Sequence, residues 1–279
     1  MSDKYAEPAQ GIERYAVVGN PIEHSKSPLI HTAFAKQTDQ NISYERIFAP
    51  LDGFESTIKD LIARGFKGAN VTVPFKFEAF NLCDNLTVRA QAAGAVNTLT
   101  FKKGQLSGDN TDGAGLVRDI THHLRHVLHN KRVLLLGAGG AAEGVLQPLL
   151  DCELNHLVIA NRTIEKAQHM RNKQVRHLEQ LTTSTFASLK PPFDIIINAT
   201  STGLTDTVLP ISNTIFAKDC LAYDMMYGRE TPFMAQARAN GAQVADGLGM
   251  LVEQAAEAFF IWRDVRPDTK PVIEMMRVL

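Results

Sequence analysis

Residues 132–150 constrain the fold of this chain more than any other stretch. Arg132 to Leu136 has the apolar character of a buried strand, Gly137-Ala138-Gly139-Gly140-Ala141-Ala142 is a glycine-rich turn, and an amphipathic stretch follows through Leu150. Strand, glycine turn and helix in that order are half of a βαβ unit, and the helix N-terminus presents unpaired backbone N–H groups to an anion. Gly137 permits the tight turn, Gly139 lets backbone approach a pyrophosphate, and Ala142 takes the third small position against the sheet. The pattern predicts a dinucleotide-binding fold.

The next strand narrows the choice of cofactor. Leu157-Val158-Ile159-Ala160 runs into Asn161-Arg162-Thr163, about twenty residues past the glycine turn, where a site for NAD offers an acid to the ribose hydroxyls. No acid stands there. Arg162 can form charge-assisted hydrogen bonds to an adenosine 2′-phosphate, Thr163 can add a hydroxyl, and Lys166 a second positive charge. NADP(H) is expected over NAD(H).

Around this unit, short apolar runs alternate with longer amphipathic stretches: Tyr15 to Gly19, Tyr44 to Phe48, Ala69 to Val73, Arg132 to Leu136, His156 to Ala160, Asp194 to Asn198 and Leu221 to Asp224. That alternation predicts an α/β fold with parallel strands. A chain of 279 residues has room for two domains of ordinary size. No repeat or Gly/Ser linker marks a boundary, so the join is placed near the histidine-rich stretch His122, His123, His126, His129, just before the strand at Arg132. His122 and His126 have the i, i+4 spacing of a metal pair on one helix face. No carboxylate or cysteine sits among them, however, and imidazoles at a helix end suit the helix dipole, so no metal is expected.

Composition removes other classes. With 44% apolar and 21% charged residues and a formal charge of −1, neither disorder nor an electrostatic grip on nucleic acid is indicated. No apolar run approaches the length of a membrane span, and MSDKYAEPAQGIER at the N-terminus lacks a hydrophobic signal core, so a cytoplasmic protein with no membrane partner is expected. Cys83, Cys152 and Cys220 show no CxxC spacing and read as core filler in a reduced compartment.

Three polar segments carry candidate chemistry. In Asn70-Val71-Thr72-Val73-Pro74-Phe75-Lys76, alternation puts Asn70 and Thr72 on one strand face and delivers Lys76 past the strand end. Asp109-Asn110-Thr111-Asp112 precedes an apparent helix, and Ser25-Lys26-Ser27-Pro28 lies in a rigid turn before another. Each has an ordinary structural alternative: Lys76 as a solvated first-turn lysine, Asp112 as a helix N-cap, and Ser27 as a cap with proline at the first helical position.

Taken together, GNPIEHSKSP (19–28), GANVTVPFK (68–76), AGAVNT (93–98), GDNTDG (108–113), GAGGA (137–141), NRT (161–163), NATS (198–201), YDMMY (223–227) and DGLGMLVEQA (246–255) resemble the shikimate dehydrogenase family, in order and over nearly the whole chain. The resemblance implies an N-terminal α/β substrate domain with a mixed sheet (1–121), completed by C-terminal helices (249–279), and a Rossmann-type NADP-binding domain (122–248). It implies reversible NADPH-dependent reduction of 3-dehydroshikimate to shikimate, with Lys76 as general acid/base paired with Asp112. Ser25, Ser27, Thr72, Asn97, Tyr227 and Gln254 would hold the substrate carboxylate and hydroxyls. Gly137, Ala138, Gly139, Gly140, Ala141, Asn161, Arg162, Thr163, Lys166, Thr200, Met225 and Gly247 would contact the cofactor. The physical logic agrees: a small ligand dense in hydroxyls needs many short polar partners, because an unmatched one leaves a buried group unpaired.

Two positions depart from the family pattern. Val88 stands where an acid is frequent, near the cofactor side of the cleft, and Lys166 where a second arginine is frequent. The rival readings are a quinate/shikimate dehydrogenase using NAD, a catalytically idle NADP- or shikimate-binding regulator, and more distantly a folate-interconverting dehydrogenase. A small-molecule enzyme working as a monomer or homodimer is expected.

Overall fold

A computed structural model describes residues 11–174, 178–204 and 207–279. Most of the N-terminal stretch read above for a signal core lies outside the described residues. The first half of the chain runs β1 (Glu13–Gly19), α1 (Ser27–Gln37), β2 (Ile42–Phe48), α2 (Phe54–Ala63), β3 (Gly68–Val71), α3 (Lys76–Leu82), β4 (Asn85–Leu86), α4 (Val88–Ala93), β5 (Thr98–Lys102), β6 (Gln105–Asp109) and α5 (Asp112–Arg118). Its sheet has the order β2-β1-β3-β5-β6-β4. β1 pairs in parallel with β2 and β3, whereas β5 runs antiparallel to both β3 and β6.

The second half runs β7 (Arg132–Leu136), α6 (Gly140–Leu150), β8 (His156–Ala160), α7 (Ile164–Asn172), β9 (Leu181–Ser184), β10 (Phe193–Asn198), β11 (Phe216–Asp224), α8 (Pro232–Ala239) and β12 (Gln243–Ala245). Its sheet is parallel throughout, in the order β12-β11-β10-β7-β8-β9. Renumbered from β7, that is the 3-2-1-4-5-6 arrangement of doubly wound dinucleotide folds. β7 reads as an unbroken apolar run because both its faces are covered: Val133 and Leu135 enter one core, Leu134 and Leu136 the other.

The chain then returns. α9 (Leu248–Arg263) and α10 (Lys270–Arg277) pack on the first sheet's helix α1, burying Ile30 and Phe34 with Val252, Phe259, Val272 and Met276. Trp262 stacks on Tyr15 of β1 with ring centroids 4.6 Å apart, and its Nε1 donates to the Leu99 carbonyl at 3.1 Å. Burying side chains of this size contributes roughly 2–3 kcal/mol each, enough to fasten the C-terminal helices to the first half.

The structure corrects several local expectations. The run predicted through Val73 leaves the strand after Val71, ahead of the cis Val73–Pro74 peptide. Alternation alone indicated parallel strands and missed the β5–β6 hairpin. Its two-residue turn is Lys103-Gly104, both at positive φ, the backbone a tight hairpin requires. Ser27 is the first residue of α1, not its cap: Lys26 holds the N-cap position, and no side chain caps the helix.

His122 and His126 do not share a helix face, because α5 passes into a π-helical turn at Asp119–His123 and ends there. A carboxylate does reach this stretch from afar, as His123 Nε2 lies 2.6 Å from Glu253 of α9. Among the described residues no group of three or more His, Cys, Asp or Glu is placed to hold a metal. Val88 is 81% exposed in the first turn of α4. An acid there would complement the helix dipole.

Candidate active site

A cavity of about 490 Å³ lies between the two sheets, and it gathers the substrate-side candidates. Ser25, Ser27, Thr72, Lys76, Asn97, Asp112, Tyr227 and Gln254 all line it, together with Met225 and Gly247 from the cofactor side. Asn70 lines it too, as the shared strand face with Thr72 predicts. Ile22, Met250 and Leu251 add an apolar wall. Their placement follows from element ends. The Ser25–Ser27 turn follows β1, Thr72 and Lys76 follow β3, Asn97 precedes β5, Asp112 opens α5, Met225 and Tyr227 follow β11, and Gly247 and Gln254 belong to the start and middle of α9.

At the centre, Lys76 Nζ donates to Asp112 Oδ2 at 2.5 Å. The other carboxylate oxygen, Oδ1, accepts from Asn97 Nδ2 at 2.8 Å. Asp112 therefore does not cap α5: Thr111 holds the N-cap position, and the Asp112 carboxylate is committed to Lys76 and Asn97. The Lys76 side chain is 26% exposed and that of Asp112 10%. The ammonium is half-buried but reachable from the cavity, and the carboxylate sits behind it. A charged pair in this setting has a stronger mutual field than in water.

Asn97, 2% exposed, is held on both ends of its amide. Its Oδ1 accepts from the Thr111 backbone N–H at 2.9 Å and from Thr98 Oγ1 at 2.8 Å, which leaves Nδ2 for Asp112. Asn110 supports the same turn, donating from Nδ2 to the Ala95 carbonyl and accepting from the Asp112 N–H. Thr98 and Tyr44 are parts of this assembly that the sequence reading did not single out, whereas Thr111 stood in the polar segment 109–112. Asn97 and Thr98 carry a weak signal as two adjacent polar residues entering a strand, and Tyr44 carries none. At the opposite end, Ser25 Oγ accepts from the Ser27 N–H at 3.3 Å, and Arg46 clamps the Ser25 carbonyl with two N–H groups, at 2.6 and 2.9 Å. The turn is thereby held with both serines at the cavity. Burial pushes the Tyr227 phenol pKa above its ordinary value, so it meets a ligand as a neutral hydroxyl.

The remaining cofactor candidates lie outside this cavity, at the C-terminal ends of β7, β8 and β10. Whether they fit a dinucleotide can be tested on the backbone. Gly137 has φ +109°, and a Cβ there would meet the Ala199 carbonyl oxygen at 3.0 Å, so the turn requires glycine. Gly139 faces open space, with nothing within 4 Å of a Cβ built on it. Among the described residues no side chain caps α6, which leaves its first-turn N–H groups available to an anion. Ala142 is fully buried against the sheet. Arg162, Thr163 and Lys166 are exposed at the end of β8, and no carboxylate among the described residues pairs with Arg162 or Lys166. Thr200 Oγ1 donates to Asn198 Oδ1 at 2.7 Å, and Asn198 Nδ2 donates to buried Asp224 at 3.0 Å, which fixes the strand ends around Met225. An anion cradle with free cations at the next strand end fits a dinucleotide carrying a 2′-phosphate.

Comparison with known proteins places these observations. Three family models match in sequence order: a shikimate dehydrogenase substrate binding domain over residues 17–99, a shikimate/quinate 5-dehydrogenase over 119–209, and a shikimate 5′-dehydrogenase C-terminal domain over 247–277. The chain is 60% identical over 268 residues to the shikimate dehydrogenase (NADP(+)) of Methylobacillus flagellatus, covering 95% of this chain and 99% of the relative. Among solved structures, an Ael1 enzyme from Pseudomonas putida superposes with TM-score 0.90 at 47% identity, covering 94% of this chain and 97% of the other. The shikimate 5-dehydrogenase of Thermus thermophilus, solved in complex with NADP(H) and shikimate, superposes with TM-score 0.85 at 31% identity, covering 95% and 98%.

Proposed function

The chain belongs to the shikimate dehydrogenase family, and on that premise we propose how its own residues carry out the reversible NADPH-dependent reduction of 3-dehydroshikimate to shikimate. The observation that carries the reading is the Lys76–Asp112 pair, 2.5 Å apart at the wall of a cavity lined by short polar groups. NADPH supplies the hydride when bound.

Reduction of a ketone places negative charge on the carbonyl oxygen, and a positioned cation that can also release a proton answers both needs. Lys76 Nζ donates a hydrogen bond to the C3 oxygen, stabilises the growing alkoxide, and passes its proton to it. In the oxidation direction the neutral amine takes the proton from the C3 hydroxyl. Asp112 restrains the amine through Oδ2 and is itself restrained through Oδ1 by Asn97. Ser25, Ser27, Thr72, Asn97, Tyr227 and Gln254, which line the cavity together, receive the carboxylate and the ring hydroxyls. Gly137, Ala138, Gly139, Gly140 and Ala141 hold the pyrophosphate. Asn161, Arg162, Thr163 and Lys166 hold the 2′-phosphate, and Thr200, Met225 and Gly247 border the nicotinamide.

The same reading divides the chain into a substrate domain (1–121, completed by 249–279) and an NADP domain (122–248), with the reaction between them. Among the described residues no helix is long and apolar enough to cross a membrane. We place the enzyme in the cytoplasm as a monomer or homodimer whose partners are small molecules and not nucleic acid, in keeping with a formal charge of −1 and no CxxC pair.

Lys76→Ala is the test. The account expects kcat to fall by roughly 10²-fold or more with a smaller change in KM, the signature of a group acting in the transition state. A folded variant with near-normal kcat would remove Lys76 from the chemistry.

A further inference from the structure

Behind the catalytic pair a directed series of hydrogen bonds runs back to a strand that touches neither Lys76 nor Asp112. Tyr44, in β2, donates from its hydroxyl to Asn70 Oδ1 at 2.7 Å. Asn70 Nδ2 donates to the Asn97 carbonyl at 3.2 Å and to Thr98 Oγ1 at 3.1 Å. Thr98 Oγ1 donates in turn to Asn97 Oδ1 at 2.8 Å, and Asn97 Nδ2 donates to Asp112 Oδ1 at 2.8 Å. Asn70, Thr98 and Asn97 are 6%, 1% and 2% exposed, so these bonds are largely shielded from bulk water.

We propose that Tyr44 is a positioning residue for the reaction, acting through Asn70 and Thr98 to hold the Asn97 amide on Asp112. The inference rests on the assignment of Lys76 and Asp112 as the catalytic pair. The polarity of the series is fixed by chemistry. The Asn97 carbonyl can only accept, so the nitrogen of the Asn70 amide must face it, and the Asn70 oxygen is left on the far side needing a donor. Tyr44 supplies that donor. Without it the Asn70 oxygen loses its donor from β2 and the amide loses one of its anchors. The loss passes to Thr98, whose hydroxyl then has a weaker reason to point at Asn97 Oδ1. Thr98 Oγ1 and the Thr111 backbone N–H together hold Asn97 Oδ1, which keeps the Asn97 nitrogen toward the carboxylate.

The phenol is itself held from behind. The His31 ring lies flat on the Tyr44 ring, with centroids 4.1 Å apart and planes within 5°. His31 is fully buried, and burial pushes its pKa down to about 3 against the opposing effect of Asn70. It is therefore a neutral aromatic floor that adds no charge beneath the site. Burial also raises the Tyr44 phenol pKa well above its ordinary value, against a neighbouring Ser27 hydroxyl. Tyr44 thus keeps its proton, and with it the donor role.

The test is steady-state kinetics of Tyr44→Phe, Thr98→Val and the double variant, beside Lys76→Ala. Tyr44→Phe removes one oxygen and leaves the stacked ring. The expected result is a kcat lowered about 10-fold with KM for shikimate within about twofold, since an orienting group acts mainly in the transition state. Thr98→Val should show the same split, and the double variant should lose no more than the worse single variant, because two links in one series do not add. A structural role alone would lower the melting temperature and leave kcat of the folded protein unchanged, which would overturn the proposal, as would kcat losses that multiply in the double variant. If Lys76→Ala is inactive while Tyr44→Phe is normal, only this inference fails. An active Lys76→Ala removes the reading beneath it.

Discussion

Asp112 shows how much a single position depends on partners remote in sequence. As the first residue of α5 it has the sequence setting of a helix cap, yet its two oxygens are taken by Lys76, 36 residues earlier, and Asn97, 15 residues earlier. Arg162 is the opposite case: exposed, unpaired with any described carboxylate, and placed by a strand end alone. Since its proposed role is charge-assisted contact with a 2′-phosphate, Arg162→Ala should raise KM for NADP⁺ by roughly 10–100-fold while leaving that for NAD⁺ nearly unchanged. An equal rise for both would move Arg162 off the 2′-phosphate. The contrast explains what was legible. Lys76, Asp112 and the two serines were candidates because their residue types sit at strand ends and helix starts, but only the family resemblance set them apart from a solvated lysine and helix caps. Arg162 stood out because no acid holds the end of β8. Tyr44 and Thr98 could not be read, because each acts through a contact between strands that are separate in sequence.

At the scale of elements, the site depends on how closely α5 approaches its neighbours. A Cβ on Gly115 would lie 2.7 Å from the Gln254 backbone nitrogen and 2.8 Å from the Met250 carbonyl oxygen, both in α9. A Cβ on Gly113, two residues earlier, would collide with Pro148 of α6. Glycine on both faces lets α5 sit between the helix that carries Gln254 and the helix that follows the phosphate turn, which brings Asp112 within reach of both halves. Gly115→Ala should destabilise the protein by about 1–3 kcal/mol, as overpacking does, and raise KM for shikimate because Gln254 is displaced. Thermal melts and kinetics check the two parts, and an unchanged melting temperature would contradict the packing argument. The strands of the second sheet were readable as apolar runs because both faces are buried. The β5–β6 hairpin was not, because its polar residues serve the site and its Lys-Gly turn is a weaker signal than Asn-Gly. The histidine stretch misled in spacing, since a π-helical turn breaks the i, i+4 register.

For the molecule as a whole, the chain's return is what joins substrate to cofactor. α9 begins at the cofactor side with Gly247 as its N-cap, passes the cavity at Gln254, and ends with Trp262 against β1 of the first sheet. Arg89 ties the same helix to the hairpin, bonding Asp109 at 2.6 Å and Glu257 at 2.9 Å. Burial pushes the Glu257 carboxyl up, but hydrogen bonds from Arg266 and Arg89 outweigh it and hold it below its ordinary range. One helix and its N-cap therefore carry residues proposed for both the cofactor and the substrate, and on that reading activity belongs to the intact two-sheet molecule. The most direct measurement is reduced-nicotinamide formation by the purified protein with shikimate or quinate, each with NADP⁺ or NAD⁺. The account predicts turnover with shikimate and NADP⁺ at a kcat/KM about 10-fold or more above any other pair, as expected where polar groups match hydroxyls and a cation meets the 2′-phosphate. Preference for quinate or for NAD⁺, or no turnover with any pair, would contradict it.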